Sequence, residues 1–533
     1  MRKMLFTTLL LIIHLLLPHY SLLYGKESIV QFDESESCTS IMVGKKASKD
    51  GSVIVGHTCD GNYRTWLNVV PSQHFKEGEK EPIFWGKLHN EEPWDMRNVE
   101  IKGYIPAPTS TLSYLNSAYP CLNEKQLAIG ETTITGDKNL INSDGLFKID
   151  ELQRIALQRC STAKDAVVLI GKLAQEYGYG DAGECLTIAD KSEIWQLEIF
   201  GSGKGDPSAI WVAQRVPDNH VAISANIPRI SKVDFNSSNF LYSSDIRERC
   251  KSMGLWDGKG DFIFWKINGG RKPFAIREFF VLNALAPSLN LSFDAHELPF
   301  SVKPDKLVDV QQVLALYREC YEGSEWDQTK DLVAEISGED RDGVEYKRSV
   351  KPISNFMSVE MRALLNQIKP GITERTRTIA VIQCSYSQII QLRDWLPDEI
   401  GGVAWFSFDN PAQSPRIPIY AGTTKLPSSF EVCGQHRYRN DAAIWSFRET
   451  NRISTINWDR SREIIEPEIE NFEQRLFWEA SKIEERALAL YESGKKDEVR
   501  ELLTNFTNHF AASAIERWRE LKGKVLEIFI RSM

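Results

Sequence analysis

The chain has 533 residues, 42% of them hydrophobic and 26% charged, the composition of an ordinary soluble protein with room for roughly two to four domains. A formal net charge of −9 without any basic stripe argues against a nucleic-acid binder. No repeat period and no long run of like charge suggests a solenoid or a charged tail.

The N-terminus carries the first signal. Arg2 and Lys3 precede an apolar run from Leu5 to Leu17, which a polar exit at Pro18, His19 and Tyr20 closes. The run falls short of the ~20 residues that cross a bilayer. Basic start, short apolar centre and polar exit describe a secretory signal ending near Tyr24 or Gly25, with an uncleaved anchor as the alternative. The expected product is exported, periplasmic or extracellular, with no stable membrane span after processing. A polar leader follows, ending in Asp33-Glu34-Ser35-Glu36-Ser37. The expected organisation is a signal over 1–25, a leader over 26–37, a catalytic domain over 38–460 and a helical region over 461–533.

After Ser37 the pattern changes. Ile41-Met42-Val43 and Val53-Ile54-Val55 are β-rich runs separated by a stretch ending in Asp50-Gly51, which predicts a hairpin. Both runs are apolar at consecutive positions, so both faces of their sheet should be covered. Pairing outward from the turn brings Cys38, at the start of the first strand, beside the end of the second, near Asp60. Leu152–Gln158 has helical spacing. A second helix is predicted from Ser161 or Thr162, with Asp165 placed for a capping box, to Gly178. Four strands follow, Cys185–Ala189, Ile194–Phe200, Ile210–Val216 and Val221–Ala225, joined by turn chemistry at Asp190–Ser192 and Pro217–Asn219. They read as an antiparallel meander ending at Asn226. Thr378–Gln383 and Gly402–Phe408 read as further strands. From about Ser461 the pattern is helical, with breaks at Gly494 and around Asn505. Hairpins set among helical segments indicate an α+β fold.

The nine cysteines form no CxxC pair and the nine histidines no HExxH, so neither a metal nor a cofactor is expected. An odd number of cysteines in an exported chain leaves at least one thiol unpaired. Cys38 is the thiol with a route to chemistry. A thiol attacks only as thiolate, and its ordinary pKa is about 8.5. If Cys38 is the first residue of the mature chain, its free α-amine, with a pKa of roughly 7.7–8, can take that proton. The scheme requires cleavage of the Ser37–Cys38 bond, because an amide nitrogen is not basic. A structureless polar leader ending at the cysteine suits such a cut. Asp60 would orient the new ammonium and favour its charged form. His57 could stabilise the thiolate, although alternation puts it on the face opposite Asp60 unless the strand ends between them. Asn226, polar and closing the apolar strand VAISAN, is a candidate oxyanion donor.

These residues stand in blocks that resemble the dipeptidase family of N-terminal-nucleophile (Ntn) cysteine hydrolases, relatives of penicillin V acylase and bile salt hydrolase. The blocks include CTSIMVGKKASKDGS from Cys38, HTCDGNYR around Asp60, NEKQLAIGETT over Asn123–Thr133, and EIWQLEIFGSG with AIWVAQRVPDNHVAISAN. LPDEIGGVAWFSFDNPAQSPRIPIYAG extends the likeness late into the chain. The resemblance implies a four-layer αββα fold, autocatalytic exposure of Cys38 and hydrolysis of dipeptides or related small amides. It implies Cys38 as nucleophile and base, Asp60 holding the amine and Asn226 as oxyanion donor. His57 stands where the acylase relatives have an arginine, and Thr133 where they have an asparagine; both are carried as substrate-contact candidates. Arg229 and Arg377 are candidates for binding a substrate carboxylate. The rival readings are an acylase of the same fold, separable only by substrate profile, and an exported binding protein using some of the 14 tryptophans. A homo-oligomer is left open.

Overall fold

The Asp50-Gly51 turn closes the hairpin around which the rest is built. Gly51 has φ of 84°, a left-handed conformation that glycine adopts without penalty. Asp50 Oδ1 accepts from the Ser52 N–H at 3.0 Å and fixes the corner. The two strands run outward as Ser37–Val43 and Val53–Asp60, longer than their apolar cores, and every residue in both is buried. Their register pairs Cys38 with Cys59 and Ser37 with Asp60. This computed structural model describes residues 37–134, 136–267, 274–339, 342–373 and 376–531. The expected secretory signal, and the expected leader up to residue 36, lie outside the described residues.

The hairpin lies inside a seven-stranded antiparallel sheet. The strand order is Ser301–Val302, Val221–Ser224, Ser37–Val43, Val53–Asp60, Cys384–Leu392, Val403–Phe408 and Ile417–Tyr420. A second, eight-stranded sheet runs Phe240–Tyr242, Ala209–Val216, Ile194–Gly201, Glu184–Ala189, Ala128–Thr133, Leu122–Asn123, Tyr114–Asn116 and Asn68–Val70. The sheets face each other closely. A Cβ on Gly130 would sit 3.2 Å from His57 Cβ and 3.3 Å from Ser40 Oγ, so glycine is what lets the sheets meet there.

The predicted four-stranded meander is corrected at its last strand. Glu184–Ala189, Ile194–Gly201 and Ala209–Val216 do form a meander. Val221–Ser224 leaves it, crosses to the other sheet and pairs with the first strand, Ser40 opposite Ser224. Pro217–Asn219 does form a tight turn, the His220 N–H donating to Pro217 O at 2.9 Å, but the turn is tied to the first hairpin rather than closing a hairpin of its own. Gly44 N–H donates to His220 O at 2.9 Å, and Lys46 N–H to Asp218 O at 2.7 Å. A side chain at Gly44 would lie 2.4 Å from Asp218 O, so only glycine permits that approach. The crossing carries Asn226 to the start of the first strand.

Helices cover the outer faces. Ile149–Arg159 and Ala163–Tyr177 pack on the eight-stranded sheet, the second capped by Thr162, whose side chain accepts from the Asp165 N–H as predicted. Ile276–Leu285 and Val310–Tyr317 lie against the seven-stranded sheet, with Ala443–Ser454, Trp458–Glu492 and Lys496–Arg531 over its far edge. The break at Gly494 is real, with φ of 78°. The one expected near Asn505 is not. Asn505 faces solvent while Leu503, Phe506 and Phe510 are buried, so packing overrides a weak local preference. Thr378–Gln383 is not a strand either; the strand begins at Cys384. Its serines obscured it, yet they are satisfied inside, Ser385 Oγ donating to Gly61 O at 2.7 Å. Among the described residues no helix is long and apolar enough to cross a membrane.

Candidate active site

Strand alternation sorts the site onto two faces of one hairpin. Cys38, Ser40, His57 and Cys59 point toward the eight-stranded sheet. Ser37, Thr39, Thr58 and Asp60 point the other way, toward the helices. The strand runs unbroken to Asp60, so His57 and Asp60 are on opposite faces.

On the helix side Asp60 is fully buried. Its Oδ2 accepts from Arg377 Nη2 at 2.6 Å and from Thr58 Oγ1 at 3.0 Å, while its Oδ1 has no hydrogen-bond partner. Arg377 also donates to Ser37 Oγ, from Nε at 3.0 Å and Nη2 at 2.7 Å. Arg377 therefore reaches the site as Asp60's counterion. Arg229, the other arginine singled out in the sequence, is 2% exposed and donates to Leu298 O at 3.1 Å, with Glu278 at 3.6 Å. It is sealed away from any substrate.

A third arginine, which no sequence pattern singled out, ties the site together. From near the start of the helix Ile276–Leu285, Arg277 Nη1 donates to Cys38 O at 2.6 Å and Thr39 Oγ1 at 2.9 Å. Its Nη2 donates to Ala225 O at 3.1 Å and Asn226 Oδ1 at 2.8 Å. Asn226 Oδ1 also accepts the Cys38 N–H at 3.1 Å. Asn226 Nδ2 donates to Thr133 O at 2.8 Å, which engages one of its two hydrogens. Asn226 has φ of 65°, a left-handed conformation that asparagine tolerates better than most residues.

On the sheet side the neighbours are different. Cys38 Sγ donates to Glu131 Oε2 at 3.6 Å, and Glu131 Oε1 accepts from Thr133 Oγ1 at 3.2 Å. Thr133 thus enters the site through its carbonyl and through Glu131. His57 Nε2 lies 3.9 Å from Glu131 Oε2 and makes no hydrogen bond. Burial pushes the His57 imidazole down to about 3, so it is neutral in the working range and supplies no charge to a thiolate. Burial, with Cys59, Glu131 and Asp60 nearby, pushes the Cys38 thiol well above its ordinary value. With Ser37 still attached, this thiol has no means of ionising near neutrality. Cys38, His57 and Glu131 hold their ligand atoms within 4.8 Å of one another, as do Glu91, Cys433 and His436, so either trio could close on a cation. All nine cysteines are free.

Glu131 and Thr133 sit two apart in the strand Ala128–Thr133, on one face, inside the NEKQLAIGETT block. That alternation is the signal that could have found Glu131.

The chain is similar to known dipeptidases along most of its length. The chain is 25% identical over 414 residues to a probable dipeptidase of Latilactobacillus sakei, covering 74% of this chain and 76% of the relative. It is 23% identical over 450 residues to probable dipeptidase B of Lactococcus lactis subsp. lactis, covering 79% and 82%. It is 22% identical over 468 residues to dipeptidase A of Lactobacillus helveticus, covering 84% and 87%. The family model of peptidase family C69 matches residues 37–471, beginning one residue before Cys38. The chain belongs to peptidase family C69.

Proposed function

We propose that this chain is an exported cysteine dipeptidase whose mature form begins at Cys38, with the leader up to Ser37 removed by the protein itself. One observation carries the reading most directly. The Cys38 nitrogen lies at the end of a buried strand, held by Asn226 and paired across the hairpin beside Asp60, whose Oδ1 lacks a partner. Cutting the Ser37–Cys38 bond turns that nitrogen into an amine, and Asp60 Oδ1 is the nearby acceptor for it. Arg277 and Arg377 then act as like charges that disfavour its protonated form, which suits a base near neutrality.

The chemistry follows from those positions. The α-amine takes the Sγ proton, and the thiolate attacks the peptide carbonyl. The second Nδ2 hydrogen of Asn226, with a backbone N–H, serves the developing oxyanion. Arg277 fixes the Asn226 amide with its oxygen toward Cys38 N. The ammonium protonates the leaving amine, and water then clears the thioester. The fold belongs to the same reading: the two facing sheets and their outer helices are taken as the four αββα layers of an Ntn hydrolase. Residues 38–460 form its catalytic region, and 461–533 its helical cover. The dipeptidase names of the relatives support a dipeptide substrate over an N-acyl amide. Intact mass of the secreted protein tests the reading. A chain starting at Cys38, and a Cys38→Ala chain retaining Asp33–Ser37, are expected; normal trimming of Cys38→Ala would sink self-processing.

A further inference from the structure

Glu131 is a buried carboxylate without a cation. It is 0% exposed and touches Cys38 Sγ, Thr133 Oγ1, a second buried carboxyl, Glu184, and the neutral His57. Tyr63, Tyr119, Tyr179, Asp181, Cys59 and Cys185 are further titratable groups near this pair. Among the described residues no lysine or arginine pairs with Glu131 or Glu184. Three other buried carboxylates have such partners: Glu81 has Arg154 and Arg159, Asp409 has Arg448 and Arg452, and Asp60 has Arg377. Burying a charge costs several kcal/mol unless it is matched, so an unmatched carboxylate beside a nucleophile calls for a function.

We infer that Glu131, backed by Glu184, is the anchor for the free α-ammonium group of the dipeptide substrate. The inference rests on the dipeptidase reading and names the group that makes the site a dipeptidase rather than an acylase. The distances suit it. In a dipeptide the ammonium nitrogen is about 2.5 Å from the carbonyl carbon to be attacked, by the lengths of the two intervening bonds. A nucleophile in a near-attack arrangement stands about 3–3.5 Å from that carbon. An acceptor oxygen 3.6 Å from Sγ is therefore within ion-pair reach of the ammonium when the carbonyl is in place. An N-acyl substrate would set a neutral, bulkier amide against this carboxylate and strand the charge. Burial raises Glu131 to about 7, so the anchor is ionised when the peptide amine, with an ordinary pKa of roughly 7.7–8, still carries its proton.

The test compares three substrates on the processed wild-type enzyme: L-alanyl-L-alanine, its neutral isostere L-lactyl-L-alanine, and N-acetyl-L-alanyl-L-alanine. The dipeptide should exceed both in kcat/KM by on the order of 10²–10⁴, as for sites built around one polar group. Cleavage of the isostere within threefold of the dipeptide overturns the anchor while leaving the dipeptidase reading intact. Failure to cleave any dipeptide, or preference for the N-acetyl compound, overturns both. In Glu131→Gln, checked by mass to start at Cys38, the loss should fall on the dipeptide and mainly on KM. The isostere should lose much less than the dipeptide, so that the preference between the two collapses. Equal losses on dipeptide and isostere would assign Glu131 to the thiol and overturn the anchor. Glu131→Asp, which keeps the charge, should recover part of the preference.

Discussion

The two faces of the Cys38–Asp60 hairpin are built from opposite materials. The helix-side face holds one carboxylate, Asp60, between two guanidiniums, Arg377 on its oxygen and Arg277 on the Cys38 carbonyl. The sheet-side face holds the thiol, a neutral imidazole and two carboxyls, with no cation on the carboxyls among the described residues. We read the first face as built to hold and tune an amine belonging to the protein, and the second as built to receive a cation belonging to the substrate. A single strand can serve both tasks because its side chains alternate.

Substitutions on the two faces should break the enzyme in different ways. The largest effect is expected at Cys38: Cys38→Ala should abolish turnover and keep the leader, read by mass and by a dipeptide assay. Asp60→Asn should come next, with kcat falling on the order of 10²–10³ through the lost hold on the amine. Because Asp60 is fully buried against Arg377, stability should also fall, by about 3 kcal/mol, the scale for breaking a buried pair from one side. Denaturant unfolding beside kinetics separates the two losses. A kcat decrease no larger than that seen when the wild type is destabilised equally would make Asp60 structural only. Arg277→Met should lower kcat by about tenfold to a hundredfold, since Asn226 loses the donor that sets its amide. His57→Gln should cost less than tenfold, because the imidazole is neutral; a loss matching Asp60→Asn would mean that it carries charge.

The smallest effect concerns stability on the sheet-side face. Glu131 is raised in the folded state above its ordinary value near 4.5, so the folded protein holds a proton that the unfolded chain releases between the two values. Its contribution to stability is therefore present below about pH 4.5 and lost as pH rises through about 7. Glu131→Gln should thus be more stable than wild type at pH 8, by about 1–3 kcal/mol, with the gain fading at pH 5. Thermal melts at the two pH values would show it. On the same grounds dipeptide kcat/KM should decline as pH falls below about 7 and the anchor takes up its proton.

Much of the helix-side face was legible in the sequence. Asp-Gly at residues 50 and 51 set the turn, and counting outward placed Asp60 within one residue of its pairing with Cys38. Asn226 was found for a partly mistaken reason. It closes the strand as expected, but that strand sits beside Cys38 only because Pro217–Asn219 passes it to the other sheet. No local pattern encodes that crossing; it depends on Gly44 and the Asp218 carbonyl meeting in three dimensions. Arg277 was invisible because it reaches the site from a helix with no motif around it. Glu131 was hidden by its type, since a lone glutamate in a strand reads as a solvent-facing residue until its contacts with Cys38 and Glu184 are seen.

The central claim is that Cys38 is the first residue of the working enzyme. The most direct measurement is the N-terminal sequence, with intact mass, of the active protein. The account predicts a single species beginning at Cys38 with a free α-amine. A fully active protein that begins upstream of Ser37 would contradict it.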